Sequence, residues 1–229
     1  MDTGGPYASR REAMLRLLRR EVRDERVLAA MAAVPREEFV PPHLRAYAYD
    51  DRALPIGEGQ TISQPLIVAL MLQALEVGAG DRVLDVGTGS GYQAAVLSAL
   101  AREVVTVERI EGLLGRARAV LTRLHCANVT MHVAGDVLGW PERAPYDAIV
   151  VAAAAPHVPR ALVDQLAEGG RMVLPIGGRR EQQLVRARRT PHGSDLARLG
   201  GCAFVPLIAR DAWPTGADGD QASGRITVP

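Results

Sequence analysis

The stretch that decides the fold is Val83-Leu84-Asp85-Val86-Gly87-Thr88-Gly89-Ser90-Gly91. It begins with an apolar strand pattern and ends in a turn with glycine at alternate positions, and residues 92–100 then follow the spacing of a helix. Glycine adopts backbone dihedrals that other residues avoid, and it lets a ligand approach main-chain N–H groups. The stretch therefore predicts a nucleotide-type cradle between a strand and a helix. The alternative is a tight connecting turn that binds nothing.

Beyond the cradle, short apolar strands alternate with helical patterns. Helices are predicted at residues 92–100, 113–124 and 159–166, and Gly169 and Gly170 should end the last of them. Strands separated by helices of this length form βαβ units and a mainly parallel sheet with helices on both faces. The seven predicted strands are residues 83–86, 104–107, 129–133, 148–152, 171–176, 183–188 and 202–208. Because no helix separates the last two, we expect an antiparallel edge on a doubly wound α/β sheet.

The chain divides into a leader, one domain and a tail. Residues 1–9 predict a flexible leader, and the polar composition of residues 211–229 predicts a disordered tail. Residues 10–210 predict a single domain, with a helical, substrate-side part at 10–80 and a cofactor-binding α/β part at 81–210. The first part has two amphipathic helical patterns, at residues 14–22 and 27–34.

A third helical pattern, at residues 67–75, is preceded by Ser63 and Pro65. This arrangement predicts that the Ser63 hydroxyl caps the helix, with Pro65 at one of the first helical positions. A helix N-terminus with a hydroxyl and uncommitted N–H groups also suits a carboxylate ligand. A structural and a functional role for Ser63 are therefore both open.

Composition limits the classes of partner. Of the 229 residues 48% are apolar, and 27 Lys and Arg stand against 26 Asp and Glu, a net charge of +1. We therefore expect neither nucleic acid nor a membrane surface as a partner. Cys126 and Cys202 lack the spacing of a disulfide framework or a zinc site, which predicts no metal and a reduced, cytoplasmic setting.

Glu108 and Tyr92 bear on which ligand the cradle binds. Glu108 ends the second predicted strand, where a carboxylate can accept from both ribose hydroxyls; the alternative is an ion pair with Arg109 or Arg102. A dinucleotide fingerprint requires Gly-x-Gly-x-x-Gly, but Tyr92 occupies the sixth place here. The pattern favours S-adenosylmethionine over NAD.

Two aspartates follow from that choice of ligand. The Asp85 carboxylate is expected to receive the amine of S-adenosylmethionine, directly or through water. Asp136, after the third strand, is expected to accept from the adenine amino group, with a helix N-cap as the alternative.

Several segments resemble one family in their residues and in their order. They are Val34-Pro35-Arg36-Glu37-Glu38-Phe39-Val40, the Gly-x-Gly-Gln-Thr-Ile-Ser-Gln-Pro block at 57–65, the cradle at 83–91, Pro145-Tyr146-Asp147-Ala148-Ile149, Gly169-Gly170-Arg171 and Phe204-Val205-Pro206-Leu207. Over roughly residues 10–208 the chain resembles the protein-L-isoaspartate O-methyltransferase family. The resemblance implies a Rossmann-like class I methyltransferase fold and makes Ser63 the active-site residue.

The residue pattern and the resemblance together define an expected site. Ser63 is the expected catalytic residue, and Thr61, Ile62 and Gln64 are the expected substrate-binding residues. The expected cofactor-binding residues are Gln60, Asp85, Gly87, Thr88, Gly89, Ser90, Gly91, Glu108, Arg109, Gly135 and Asp136. Two departures from the family are Val137, where a glycine is usual, and the long C-terminal tail.

The implied reaction methylates the free α-carboxylate of an isoaspartyl residue in a damaged protein and so opens a repair route through a succinimide. That carboxylate is already ionised near neutral pH, so no strong general base is needed. Three alternatives stay open: the same chemistry on a dedicated biosynthetic peptide, a small-molecule methyltransferase, and a ligand-binding protein without catalysis. A monomer is the expected state.

Overall fold

The computed structural model of the protein describes residues 6–178 and 181–214. The helices in these ranges are α1 Ala8–Leu18, α2 Glu25–Ala33, α3 Pro65–Leu75, α4 Tyr92–Ser98, α5 Glu111–Arg123 and α6 Arg160–Val163. The strands are β1 Leu54–Gly57, β2 Gln60–Ile62, β3 Arg82–Val86, β4 Glu103–Glu108, β5 Val129–Val133, β6 Tyr146–Val151, β7 Leu166–Gly177, β8 Gln182–Thr190 and β9 Gly193–Cys202. Short 3₁₀ helices occupy Arg36–Phe39, Pro42–Tyr47 and Pro141–Arg143.

Seven strands form one sheet in the order β5-β4-β3-β6-β7-β8-β9, and β1 pairs with β2 in a separate hairpin. Strands β3 to β7 run parallel, whereas β8 and β9 are antiparallel to their neighbours. The prediction of a doubly wound, mainly parallel seven-stranded sheet with an antiparallel edge is therefore confirmed. Parallel strands are covered on both faces, which explains why the central strands are almost uniformly apolar.

Strand β3 lies at the point where the strand order reverses. The chain continues from β3 to β4 on one side and later returns to β6 on the other side. In open α/β sheets the crevice at such a point, outside the carboxyl ends of the strands, is where ligands bind. The glycine turn after Val86 occupies this place.

The N-terminal helices belong to the same folding unit as the sheet. Leu18 of α1, Met31 of α2 and Leu72 of α3 are fully buried in one core cluster with Tyr92 and Val83. This shared core shows that the helical part packs directly on one face of the sheet. No helix in the described ranges has the length and apolar character needed to cross a membrane.

The last strand does not lie where the sequence suggested. The predicted strand at residues 202–208 is wrong: β9 is Gly193–Cys202 and pairs with β8 from Thr190↔Gly193 onward, which leaves a two-residue hairpin turn. The apolar residues that suggested a strand further on include Pro206, which has no N–H to donate to a ladder. That segment makes only isolated bridges, such as Ala154↔Pro206.

The helix predicted at residues 159–166 is also wrong in its extent, because α6 has only four residues. Gly169 and Gly170 do not end it; they lie within β7, where the pairing with β6 shifts register. Gly169 has a φ of 71°, and a Cβ on Gly170 would lie 2.8 Å from the Ala167 oxygen. The two glycines therefore allow the irregular pairing at the start of β7.

Both ends of the domain extend further than predicted. Helix α1 begins at Ala8, inside the expected leader, of which residues 1–5 lie outside the described residues. At the other end, Asp211 accepts a hydrogen bond from the Ala161 N–H at 2.9 Å, and Trp213 is 8% exposed. The predicted disordered tail thus starts too early at 211, and residues 215–229 lie outside the described residues.

Candidate active site

A cavity of about 480 Å³ opens at the carboxyl ends of β3 and β4. Its walls come mainly from five segments that are distant in sequence: residues 59–63, 86–90, 107–110, 134–139 and 205–209. Twelve of the fifteen predicted site residues line it, and the three that do not are Asp85, Gly91 and Gln64. The fold therefore brings together most of the predicted site in one cavity.

The glycine loop is held by its own backbone. Gly87, Gly89 and Gly91 have φ values of 95°, 52° and 90°, which side chains with a Cβ rarely adopt. The N–H groups of Gly87 and Thr88 both donate to the Val107 oxygen, and that of Gly91 donates to the Thr88 oxygen. Most N–H groups of the loop are thus hydrogen-bonded within the protein. The loop therefore forms a rigid wall of the cavity and offers few free donors to a ligand.

Glu108 is fixed at the end of β4 by two backbone donors. Its Oε2 accepts from the Gly89 N–H at 2.9 Å and its Oε1 accepts from the Ile110 N–H at 3.0 Å. In the part of the chain described, it forms no ion pair with Arg109 or Arg102, and the Arg102 Nε donates to the Gly80 oxygen instead. Each carboxylate oxygen keeps a free lone pair for a ligand hydroxyl. This geometry allows Glu108 to accept hydrogen bonds from two ligand hydroxyls at once.

Asp85 lies beneath the loop and not in the cavity. Its Oδ1 accepts from Gln93 Nε2 at 2.9 Å, and its Oδ2 accepts from the Thr106 hydroxyl, also at 2.9 Å. Because Thr106 donates its proton to Asp85, the Thr88 hydroxyl must be the donor in the 2.6 Å contact between the two threonines. Burial raises the pKa of Asp85 to about 6, the charge of Glu108 adds to this, and the two donated hydrogen bonds oppose it.

This arrangement corrects the expectation that Asp85 meets the ligand amine directly. The Asp85 side chain is fully buried, whereas Gln93, to which it is bonded, does line the cavity. Sequence reasoning missed Gln93. Its position in the first turn of α4, two residues after Gly91, was the available signal.

Gly91 and Gln64 lie outside the first cavity, Gly91 against α5 and Gln64 at a second cavity. A Cβ on Gly91 would lie 3.1 Å from the Ala117 Cβ and 3.3 Å from Leu121 Cδ1, so this glycine allows α5 to approach the loop. Gln64 lines a second cavity and donates from Nε2 to Asp51 at 2.8 Å. Neither residue contacts the first cavity.

The Thr61–Ser63 segment forms the boundary between the two cavities. Alternate residues of an extended chain face the same way, so Thr61 and Ser63 share a face while Ile62 turns into the core, where it is 4% exposed. The second cavity, of about 450 Å³, is also lined by Thr61 and Ser63. These two hydroxyl residues therefore lie where the cavities meet.

The Ser63 hydroxyl is not a helix cap, and that prediction is wrong. The N-cap position of α3 is Gln64, with Pro65 at the first helical position as expected. The cap is provided from a distance by Asp51, whose Oδ1 accepts from the Leu66 N–H at 2.9 Å. Within the described residues the Ser63 hydroxyl makes no hydrogen bond, so it is free for a ligand.

The rim of the first cavity carries Arg109, Gly135, Asp136 and Val137. Asp136 is exposed, and the residues between it and Trp140 are not helical, which excludes an N-cap role. Val137 is 55% exposed and lines the cavity at the position where the family usually has glycine. In the described ranges no group of three or more His, Cys, Asp or Glu residues is arranged to hold a metal ion.

A further wall of the first cavity comes from residues 205–209, which sequence reasoning left out of the site. The Leu207 N–H donates to the Ala154 oxygen, and the Trp213 N–H donates to the Leu207 oxygen. The proline in this segment was the signal, because it argues against a regular strand there. The packed end of the domain thus closes the site.

A doubly wound sheet with a glycine loop after its central strand and a fixed carboxylate at the end of the next strand indicates a Rossmann-like domain for a ribose-containing cofactor, and the Gly-x-Gly-x-Gly loop favours S-adenosylmethionine over NAD. The family model of protein-L-isoaspartate(D-aspartate) O-methyltransferase matches residues 9–212. The chain belongs to the protein-L-isoaspartate(D-aspartate) O-methyltransferase family.

Relatives and solved structures agree with this assignment. A protein-L-isoaspartate O-methyltransferase of Roseiflexus castenholzii is 53% identical over 210 residues, covering 91% of this chain and 96% of the relative. One of Methanoculleus marisnigri is 50% identical over 210 residues, with 91% and 96% covered. A Plasmodium falciparum structure, described as a protein-L-isoaspartate O-methyltransferase in complex with S-adenosyl-L-homocysteine, has a TM-score of 0.73 at 28% identity and covers 84% of this chain and 95% of its own.

Proposed function

We propose that the protein transfers a methyl group from S-adenosylmethionine to the free α-carboxylate of L-isoaspartyl residues in damaged proteins, and that Ser63 is its active-site residue. The observation that carries this proposal is the place of Thr61 and Ser63 between the two cavities. A group in either cavity meets the same two hydroxyls. Cofactor and substrate are thereby directed to one point.

The first cavity fits S-adenosylmethionine. Its volume of about 480 Å³ lies in the range of pockets for ligands of this size. Glu108 would accept from the ribose hydroxyls, and Asp136, which lies on the rim, would accept from the adenine amino group. A Cβ on Gly87 would make an ordinary contact of 3.5 Å with the Ala152 Cβ, so the φ of 95° and not a lack of space is what favours glycine there. Gln60, Thr88, Gly89, Ser90, Arg109 and Gly135 complete the proposed cofactor contacts.

The second cavity is proposed as the site of the isoaspartyl residue. Bound in the first cavity, S-adenosylmethionine supplies a methyl group already activated by its sulfonium. The substrate carboxylate is ionised near neutral pH, so the protein has to place it and needs no strong base. The hydroxyls of Thr61 and Ser63 donate to that carboxylate, and Gln64 lines the substrate side. Alignment accounts for most of the catalysis.

The methyl ester can lose methoxide, a far better leaving group than the oxide that the carboxylate would have to lose. The next backbone nitrogen can then attack the ester carbonyl, release methanol and close a succinimide, and hydrolysis of this ring returns some normal aspartate. Neither step requires a further group of this protein. The proposed role in repair follows from this chemistry.

Methyl transfer to a matched pair of peptides tests the function. The protein is incubated with labelled S-adenosylmethionine and either an isoaspartyl peptide or its aspartyl counterpart. Base-labile label on the isoaspartyl peptide alone is expected. Equal labelling of both peptides would refute the repair reaction, and cofactor binding without any labelling would indicate a binding protein.

Three variants test the residues. Ser63→Ala should lower kcat/KM about 100-fold, because the carboxylate loses its placement, while binding of S-adenosylhomocysteine stays within threefold. Ser98→Ala is the matched control, since its hydroxyl donates to the Ala95 oxygen away from both cavities. Glu108→Gln should instead weaken S-adenosylhomocysteine binding. Wild-type turnover of Ser63→Ala would remove Ser63 from the mechanism.

The proposed setting is cytoplasmic, and the proposed state is a monomer without nucleic-acid or membrane partners. The net charge of +1 supports the absence of a polyanionic partner. The two cysteines are both free and support a reducing compartment. Size-exclusion chromatography with light scattering measures the mass directly.

A further inference from the structure

Arg36 is a fully buried arginine that is bonded to the backbone of Ser63. Its side chain is 0% exposed, its Nε donates to the Ala48 oxygen at 2.7 Å, and its Nη2 donates to the Ser63 oxygen at 2.6 Å. The guanidinium carbon lies 4.6 Å from the centre of the Tyr92 ring. Arg36 therefore connects the 3₁₀ helix Arg36–Phe39 to the residue at the junction of the two cavities.

Among the described residues, no carboxylate contacts the guanidinium of Arg36. Within the described residues it forms no ion pair, and its Nη1 has no hydrogen-bond partner. Asp51 attracts it electrostatically, but the two oxygens of that carboxylate accept from Leu66 and Gln64. Burial lowers the pKa of Arg36, yet a guanidinium stays protonated in proteins. The interior next to Ser63 thus holds a guanidinium that no carboxylate contacts among the described residues, with Asp51 acting on it only through space.

Such a charge is costly to bury when no anion accompanies it. Arg171, a largely buried arginine in β7, shows the ordinary solution. It also donates to backbone oxygens, those of Leu75 and Asp147, but its Nη2 lies 2.5 Å from the Asp81 carboxylate. Arg36 makes no such ion pair in the described ranges, so its charge is still available to attract a ligand anion at Ser63 through space.

We propose that Arg36 is a positioning residue of the reaction: it fixes the Ser63 backbone, and its buried charge makes the site select an anionic group. This inference rests on the proposed role of Ser63. A substrate carboxylate at the Ser63 hydroxyl would be attracted by the guanidinium in surroundings where screening by water is weak. The methyl ester carries no charge, so the same field that favours the substrate favours release of the product.

The test compares an anionic and a neutral ligand of the same shape. The anionic ligand is an isoaspartyl peptide, and the neutral one is the isoasparaginyl peptide with an α-carboxamide. We expect wild type to bind the isoaspartyl peptide at least tenfold more tightly, as measured by KM and by competitive Ki. Because the charge is buried, this preference should change less than twofold between 20 and 500 mM NaCl.

Variants of Arg36 separate charge from structure. Arg36→Gln keeps a donor without the charge, and it should raise the KM of the isoaspartyl peptide at least tenfold while the Ki of the isoasparaginyl peptide stays within threefold. Arg36→Lys keeps the charge and should restore most of the preference, with a lower kcat because it cannot reach both carbonyl groups. Arg171→Gln is the matched control and should lower the Tm without altering the preference.

The outcomes decide between a positioning and a purely structural role. An unchanged preference in Arg36→Gln, with only the Tm lowered, would overturn the inference. The wild-type measurement needs no variant to fold, and absence of a preference there, or its loss in salt, would overturn the inference as well. If Ser63→Ala is impaired but Arg36→Gln is not, only the role of Arg36 fails. If Ser63→Ala is fully active, the proposed site fails first.

Discussion

The buried carboxylate of Asp85 should make the stability of the protein depend on pH in a direction opposite to that of most acidic residues. Asp85 is fully buried beneath the glycine loop, where only Gln93 and Thr106 donate to it. The perturbation is Asp85→Asn, which keeps the shape of the side chain and abolishes its titration. The difference in unfolding free energy between wild type and this variant isolates the one carboxyl group.

The magnitude follows from the raised pKa. Asp85 has a pKa of about 6 in the folded protein, whereas its ordinary value is 3.8. A difference of about two pH units corresponds to about 3 kcal/mol. Between the two values the folded state holds a proton that the unfolded state has released, so wild type loses stability relative to Asp85→Asn as the pH rises. The contribution is full below pH 3.8 and is lost as the pH passes 6, with about 1.4 kcal/mol of the loss between pH 5 and pH 8.

The assay is urea unfolding of both proteins at half-unit steps from pH 5 to pH 8, followed by circular dichroism. Thr106→Val provides a second check, because it removes a hydrogen bond that favours the carboxylate and should move the transition to higher pH. A constant difference in unfolding free energy between wild type and Asp85→Asn across this pH range would refute the reasoning. An increase in the stability of wild type relative to Asp85→Asn with rising pH would show that further hydrogen-bond donors lower the pKa of Asp85.

Two further substitutions test the supports of the site. Gly91→Ala should destabilise the protein by about 2 kcal/mol, because φ is 90° there and the new Cβ would lie 3.1 Å from Ala117. Ala117→Gly should restore only the steric part of this loss in urea unfolding. Asp51→Ala removes the acceptor for the Leu66 N–H and should cost about 1 kcal/mol, which thermal unfolding can measure; an unchanged Tm would contradict its role as the cap of α3.

The sequence predicted the parallel part of the fold because its signals are local. A run such as Val83 to Val86, flanked by a glycine turn and a helical pattern, forms a strand whatever elements it packs against. The acidic residue Glu108 followed from the same reasoning, because the end of a strand adjacent to the cradle can face only one edge of the sheet. Both belong to the regular βαβ alternation.

The parts that were missed depend on contacts between distant residues. The cap of α3 comes from Asp51, twelve positions before Ser63, and no local pattern distinguishes this cap from one made by the nearer hydroxyl. β9 has little apolar character and is defined by its pairing with β8 from Thr190 onward. The burial of Asp85 was equally invisible, since an aspartate before a glycine loop can face the ligand or the core.

The free hydroxyl of Ser63 is explained by these distant contacts. Asp51 satisfies the first N–H of α3, which a serine in this place would ordinarily do, and Arg36 holds the Ser63 oxygen. Asp51 and Arg36 thereby provide the helix cap and the backbone anchor at the Ser63 position. A hydroxyl that has no structural bond is available to a ligand, and the fold places it between two cavities. The Ser63 hydroxyl is thus free for a ligand because Asp51 caps α3 and Arg36 anchors the Ser63 backbone.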